Sequence, residues 1–357
     1  MHLVTFERRA NAVSPSREAK PRSMGNAALG FETLASHRPG VRRIGAILQT
    51  GCQQGAIVDL NRALAVKLAY EDAGAPEAEA DSLLPPDVLA FLRRLPSSLE
   101  AANSALEFVA EALERYDAPD VQRAGVVEPR RSLHLCAPVP RPGKLLAVAR
   151  NYPAHAAELG PGEPPEEPVL FLKAPSAVVG PEDEIVIPAA SSRVDYEGEL
   201  AVVIGKPARR VLARDALEYV AGYSVANDVS ARDFQATRGQ HFIGKSCDSF
   251  APLGPALVTA DEIPDPQDLA IRTIVSREVR QNGNTKEMSF PIAELISFAS
   301  ALMTLEPGDV LLTGTPAGVG AASQPPRWLQ DGDVVEVEIE RVGRLRNYVR
   351  EENDRPA

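Results

Sequence analysis

The chain has 357 residues, 44% of them hydrophobic, and a formal net charge of −11. That length suffices for two domains with sizeable cores, and the acidic balance argues against a nucleic-acid surface or a polybasic membrane anchor. Cys52, Cys136 and Cys247 are too few and too scattered for a disulfide framework or a zinc site. No apolar run approaches membrane-span length, and MHLVTFERR puts charge where a signal peptide needs its apolar core. The expectation is a soluble, cytoplasmic protein with no nucleic-acid or membrane partner.

Residues 1–130 read as a small α+β domain. A short strand at 2–6 comes first. Residues 9–40 mix polar residues with Gly and Pro, show little periodicity, and read as a loop insertion. Segments 41–48 and 56–60 form a hairpin around GCQQG. Helical spacing follows at 64–70, 86–94 and 98–116, where Ala, Leu and Glu supply propensity and apolar positions recur every three to four residues. Pro86 fits a first helical turn. Residues 117–143, ending in APVPRPG, form the junction to a second domain at 138–357.

From Lys144 the pattern changes. Strands are expected at 145–149, 169–173, 184–187, 200–204, 253–258, 271–275, 310–312 and 334–339. Helical composition is confined to NYPAHAAEL at 151–159 and to 215–220 and 291–303. Few helices against many strands exclude a doubly wound sheet and point to a mainly β, mixed structure folded around itself.

The chemistry concentrates in VDYEGELAVVIG and AGYSVANDVSARD. Glu197 and Glu199 are one strand period apart, so both side chains point the same way. Two carboxylates in an apolar setting need a counter-charge, and no local run of Lys or Arg supplies it. A divalent cation, with Asp228 as third ligand, is the simplest answer, and three short-chain oxygens suit Mg²⁺. Solvated alternation on a sheet is the competing explanation for an isolated E-x-E. His155 and Glu158 share a helical face; they form either a surface pair or a base with its orienting carboxylate. Lys245 in HFIGKSCD is a possible counter-charge for a substrate carboxylate or enolate. Gly314, Thr315, Pro316 and Gly318 follow an apolar strand as a substrate-facing loop or a structural turn. LLTGTPAGVG lacks the GK[ST] ending of a phosphate loop. Cys247 has no legible partner for a nucleophilic role.

Seven blocks, RNYPAHAAELG, FLKAPSAVVGP, VDYEGELAVVIGK, GYSVANDVSARD, GKSCDSFAPLGP, LLTGTPAGVG and GDVVEVEIERVGRLRN, stand in the order seen in the fumarylacetoacetate hydrolase family, which residues 138–350 resemble. MHLVTF with RRIGAI and AIVDL also resembles the small amino-terminal domain of many bacterial members. The resemblance implies a mixed β-roll catalytic domain, paired as a homodimer, that binds Mg²⁺ or Mn²⁺ and an anionic 2-oxo acid. It matches Glu197, Glu199 and Asp228 to the metal carboxylates and His155 with Glu158 to a catalytic dyad on a lid. Lys245 matches the lysine facing the substrate, Arg232 and Gln235 match substrate-side polar residues, and Thr315 matches the threonine that takes the substrate carboxylate.

Where the hydrolase of tyrosine breakdown has a fourth carboxylate, seven residues before its His, this chain has Val148, which argues against fumarylacetoacetate as substrate. Arg344 also stands where smaller members have less bulky residues. On this resemblance the expected activity is hydrolysis of a C–C bond in an acylpyruvate, with release of pyruvate through an enolate. Oxaloacetate decarboxylation, isomerisation or hydration of unsaturated 2-oxo-dioic acids, and a non-catalytic binding protein are the alternatives.

Overall fold

The computed structural model describes residues 1–9, 41–49, 54–115, 125–160, 165–238 and 240–352. The insertion expected near residues 9–40 therefore lies, apart from Arg9, outside the described residues. The chain divides into two compact units, Met1–Cys136 and Ala137–Ala357.

The first unit is an antiparallel sheet with helices. Its strands are β1 (His2–Arg8), β2 (Arg43–Ile47), β3 (Ile57–Asp59), β4 (Val127–Glu128) and β5 (Leu133–Cys136), paired in the order β4-β3-β2-β1-β5. The helices are α1 (Leu60–Tyr70), α2 (Pro76–Leu83), α3 (Val88–Leu92) and α4 (Ser97–Arg115). Asp59 sets where α1 begins. Its buried carboxylate accepts the Arg62 N–H at 3.0 Å and both arms of Arg43, at 2.5 and 2.9 Å. A capped start with a paired charge lets the helix run from Leu60, four residues earlier than apolar spacing alone predicts. Pro86 is not in a helical turn: Asp87 caps α3 by accepting the Ala90 N–H at 2.9 Å.

The second unit is the mixed β-roll, mainly β, that the resemblance implies. Its elements are β6 (Leu145–Ala149), α5 (Pro153–Glu158), β7 (Val169–Lys173), β8 (Val178–Val179), β9 (Glu184–Ile187), β10 (Val194–Asp195), β11 (Gly198–Ile204), β12 (Val220–Asn227), β13 (Ser230–Ala231), α6 (Arg232–Arg238), α7 (His241–Lys245), β14 (Ala251–Thr259), β15 (Ala270–Val275), β16 (Glu278–Asn284), α8 (Ile292–Leu302), β17 (Val310–Leu312), β18 (Val334–Ile339) and β19 (Gly343–Glu351). One layer runs β14-β12-β11-β17-β6-β7 and the other β16-β15-β18-β19-β9, with β6–β17 and β9–β19 parallel. Leu200, Val202 and Val225 of the first layer pack with Ile271, Val337 and Leu345 of the second, and Ile292, Leu295 and Ile296 of α8 join the same core.

Gly198 lies where β11 packs tightly on the second layer. A Cβ there would stand 2.2 Å from Thr273 Oγ1, so the position facing β15 carries no side chain. Glu197 and Glu199, on either side of it, project the other way, into the site. Strand β12 has no expected counterpart at 220–227. Its polar residues hide the pattern because they bond inside the roll: Ser224 Oγ donates to Ala256 O at 2.8 Å, and Asn227 Oδ1 accepts the Glu197 N–H at 2.9 Å. The helix expected at 215–220 is a 3-10 segment, Ala213–Tyr219.

Candidate active site

The hairpin β11–β12 and its continuation bring three carboxylates together. Glu197, Glu199 and Asp228 are buried, and each offers an oxygen within 4.8 Å of the others. They line one cavity of about 140 Å³ with His155, Lys245, Arg232, Gln235 and Thr315, so all nine residues expected at the site border it or belong to its His–Glu pair. Val148 lines it too, giving an apolar wall where a fourth carboxylate was considered.

No local run of Lys or Arg supplies the counter-charges; they come from positions distant along the chain. Lys245 Nζ donates to Glu197 Oε2 at 2.5 Å and to Asp228 Oδ2 at 2.6 Å. Lys173, 1% exposed at the end of β7, donates to Asp228 Oδ1 and, at 2.8 Å, to Phe250 O. Arg232 bridges Glu197 Oε1 at 2.7 Å and Asp195 Oδ2 at 2.9 Å. Asp195 itself is pinned by the N–H groups of Gly320 and Ala321.

These pairings leave the carboxylates unequal. Burial opposes the charge on Glu197, yet Lys245 and then Arg232 hold its pKa well below the usual range. Among the described residues Glu199 pairs with no cation, and its carboxylate accepts the Gly314 N–H at 2.6 Å. Burial first, then the charges of Asp228 and Glu197, drive its pKa well above the usual range. Three converging carboxylates, one lacking a counter-charge, form an all-oxygen donor set that fits a hard divalent cation.

His155 sits on α5, which Pro153 opens at its first turn. Its Nδ1 meets Glu158 Oε1 at 2.8 Å, while Glu158 Oε2 accepts the Gly318 N–H at 2.8 Å. A carboxylate can only accept, so Nδ1 carries a proton, and in the neutral ring Nε2 presents the lone pair. His155 is 5% exposed, so the pair is not the surface pair that spacing alone allowed. Gly318 supplies its N–H from a backbone at φ +109°, and its carbonyl accepts from Tyr196 Oη at 3.0 Å.

The substrate-side residues are less free than expected. Thr315 Oγ1 donates to Gly198 O at 2.8 Å and accepts from Gln281 Nε2 at 2.7 Å, so its hydroxyl proton is already engaged. Gln281 further ties the loop by accepting the Gly198 N–H at 2.9 Å and donating to Pro316 O at 2.7 Å. Lys173, Asp195 and Gln281 escaped sequence reasoning, as did the lining residues Arg150, Phe171 and His241. The one available signal was a lysine closing the apolar run VLFLK. Cys247 does not line the cavity, and burial pushes its thiol pKa up, away from nucleophilic chemistry.

The roll and its buried carboxylate site are those of a metal-using enzyme. Residues 144–350 match the family model described as fumarylacetoacetate (FAA) hydrolase C-terminal, and the chain belongs to that family. It is 42% identical over 321 residues to oxaloacetate tautomerase fahd2, mitochondrial, of Xenopus laevis, covering 89% of this chain and 88% of that protein. Among solved structures, 5-carboxymethyl-2-hydroxymuconate delta-isomerase from Mycobacterium smegmatis is 43% identical, covers 63% of this chain and 83% of its own, and superposes with a TM-score of 0.56. A fumarylacetoacetate hydrolase from Exiguobacterium antarcticum is 35% identical, covers 88% of this chain and 97% of its own, and has a TM-score of 0.66.

These relatives overturn the expected acylpyruvate hydrolysis. The two with higher identity carry the names of a tautomerase and an isomerase, which move a proton without breaking a carbon–carbon bond. Hydrolysis and tautomerisation of a 2-oxo acid can both pass through an enolate, so residues that suit one reaction also suit the other. No helix among the described residues is long and apolar enough to cross a membrane.

Proposed function

We propose that the protein is a divalent-metal-dependent tautomerase that interconverts the enol and keto forms of a 2-oxo dicarboxylic acid of the oxaloacetate type. The observation that carries this is the pinned imidazole: His155 Nδ1 is held by Glu158, and the residue opens onto the cavity of the three carboxylates. Tautomerisation needs one base that removes a proton at carbon and delivers one at oxygen, or the reverse. His155 Nε2 does both: it takes the proton from C3, the electron pair passes to the 2-oxo oxygen, and the same nitrogen returns the proton there. Composition is unchanged and no co-reactant is consumed.

Glu197, Glu199 and Asp228 would hold Mg²⁺ or Mn²⁺, which when bound supplies Lewis acidity toward developing negative charge. Lys245, fixed between two of these carboxylates, offsets the same charge. Arg232 serves through position: clamped by Asp195 and Glu197, it sets the orientation of Glu197 and presents Gln235 to the cavity.

The test is stopped-flow absorbance of freshly dissolved enol oxaloacetate in Mg²⁺, alongside ¹H detection of C3 exchange in D₂O. The expected result is decay and exchange well above the buffer rate, both lost in His155→Ala. Release of pyruvate or CO₂ without accelerated exchange overturns the reading.

A further inference from the structure

Among the described residues three Lys or Arg side chains line this cavity, two of them with carboxylate partners, and Lys173 stands behind the wall on Asp228. Lys173 and Lys245 hydrogen-bond Asp228, with Lys245 shared by Glu197, and Arg232 lies between Asp195 and Glu197. Arg150 also lines the cavity, yet among the described residues it makes no hydrogen bond or ion pair. It is exposed, and it lines the cavity together with Leu159 and Phe171.

Its backbone is unusual. Arg150 has φ +56°, in the left-handed region that a long side chain adopts at a cost. The neighbouring residue locks this turn. Asn151 is fully buried, donates to Thr313 O at 2.8 Å and Phe290 O at 3.1 Å, and accepts the Phe290 N–H at 2.8 Å. Glycine or asparagine would relax the conformation, so an arginine here keeps strain in order to place a guanidinium at the mouth. Its charge reaches a second lining residue: His241, stacked on Phe171 at 4.9 Å, has its pKa lowered by burial first, then by Lys245, with Arg150 adding to the effect.

We propose that Arg150 is the specificity-determining residue that receives the second carboxylate of a 2-oxo dicarboxylic acid. The assignment rests on the reading above, and takes the substrate's first carboxylate and 2-oxo group to lie toward the cation that Glu197, Glu199 and Asp228 would hold. A planar guanidinium with all its donors uncommitted matches a carboxylate in two-point fashion. Thr315 offers no such donor from its hydroxyl, and Arg232 is held by two carboxylates.

The test uses the full chain in Mg²⁺, with calorimetric titration of malate and of lactate, inert 2-hydroxy acids that differ by the second carboxylate. Wild type is expected to prefer malate by roughly 10- to 100-fold, the range of a hydrogen-bonded charge pair. Arg150→Asn keeps a residue tolerant of positive φ, so it should bind lactate as wild type does and lose the malate preference. Arg150→Lys, retaining charge without the fork, should keep part of it. A wild type without preference for malate overturns the assignment, as does a preference that survives Arg150→Asn, or an equal weakening of both ligands. Turnover of enol oxaloacetate stands apart from this binding test: its absence in wild type sinks the tautomerase reading, while the malate preference still decides Arg150.

Discussion

Glu158 uses both carboxylate oxygens, one on His155 Nδ1 and one on the Gly318 N–H. Replacing it with Gln keeps the shape but substitutes an NH₂ for one acceptor. Either the imidazole or the Gly318 amide must then face a donor. We expect Glu158→Gln to lower kcat by about 10²-fold, within the 10²–10⁴ range of a positioned base, with Mn²⁺ affinity unchanged in a direct titration. An unaltered kcat would remove the dyad from the mechanism. Glu158 and His155 were legible because helical spacing is local and needs no knowledge of the fold. Lys173 and Asp195 were not. A lysine at the end of VLFLK reads as the solvated end of a strand, and its partner Asp228 is 55 residues away. Only the closed roll shows that this ammonium is buried.

At the scale of elements, the loop after β17 supplies much of the site's fixed framework. Gly314 gives its N–H to Glu199, and Gly318 gives its own to Glu158. A Cβ on Gly318 would stand 2.1 Å from Arg280 O, at φ +109°. Gly318→Ala should therefore move the loop and reduce turnover more than tenfold, since misplacing a base costs more than local strain. Gly332→Ala is the control: φ is +82° but its Cβ meets nothing within 4 Å, so it should cost about 1–2 kcal/mol of stability and leave turnover intact. Equal turnover in the two variants would show that the loop does not position the dyad. The Gly-rich sequence marked a loop but left its purpose open, because the same residues make structural turns. Apolar strands such as β11 and β17 were equally plain. Strand β12 and the short helices α6 and α7 were not, since their polar residues find partners only in the assembled sheet.

For the molecule as a whole, the carboxylate cluster links folding to cation concentration. Without a cation, Glu199 is a buried acid beside two others and disfavours the native state when ionised. A cation bound only by the native chain adds about 2.7 kcal/mol at a hundredfold excess over its Kd. Denaturant unfolding in EDTA and in saturating Mn²⁺ should show that gain in wild type. Glu199→Gln should be at least as stable as wild type in EDTA, having lost the repulsion, and should gain less than half as much from Mn²⁺. An undiminished gain would exclude Glu199 as a ligand.

The three carboxylates lie on one hairpin and the two residues that flank it, Glu197 before β11 and Asp228 after β12, with Gly198 opposite Asn227 and the Asp228 N–H bonded to Glu197 O at 2.8 Å. A strand that slips by one residue turns every side chain to the other face. Slippage between β11 and β12 would thus swing Glu197 and Glu199 into the layer interface and drive Gly198 out of it. Of these alignments only the observed one brings oxygens of Glu197, Glu199 and Asp228 within 4.8 Å of one another, so a cation bound by all three would act as a proofreader, favouring chains whose strands have met in that alignment over misaligned ones.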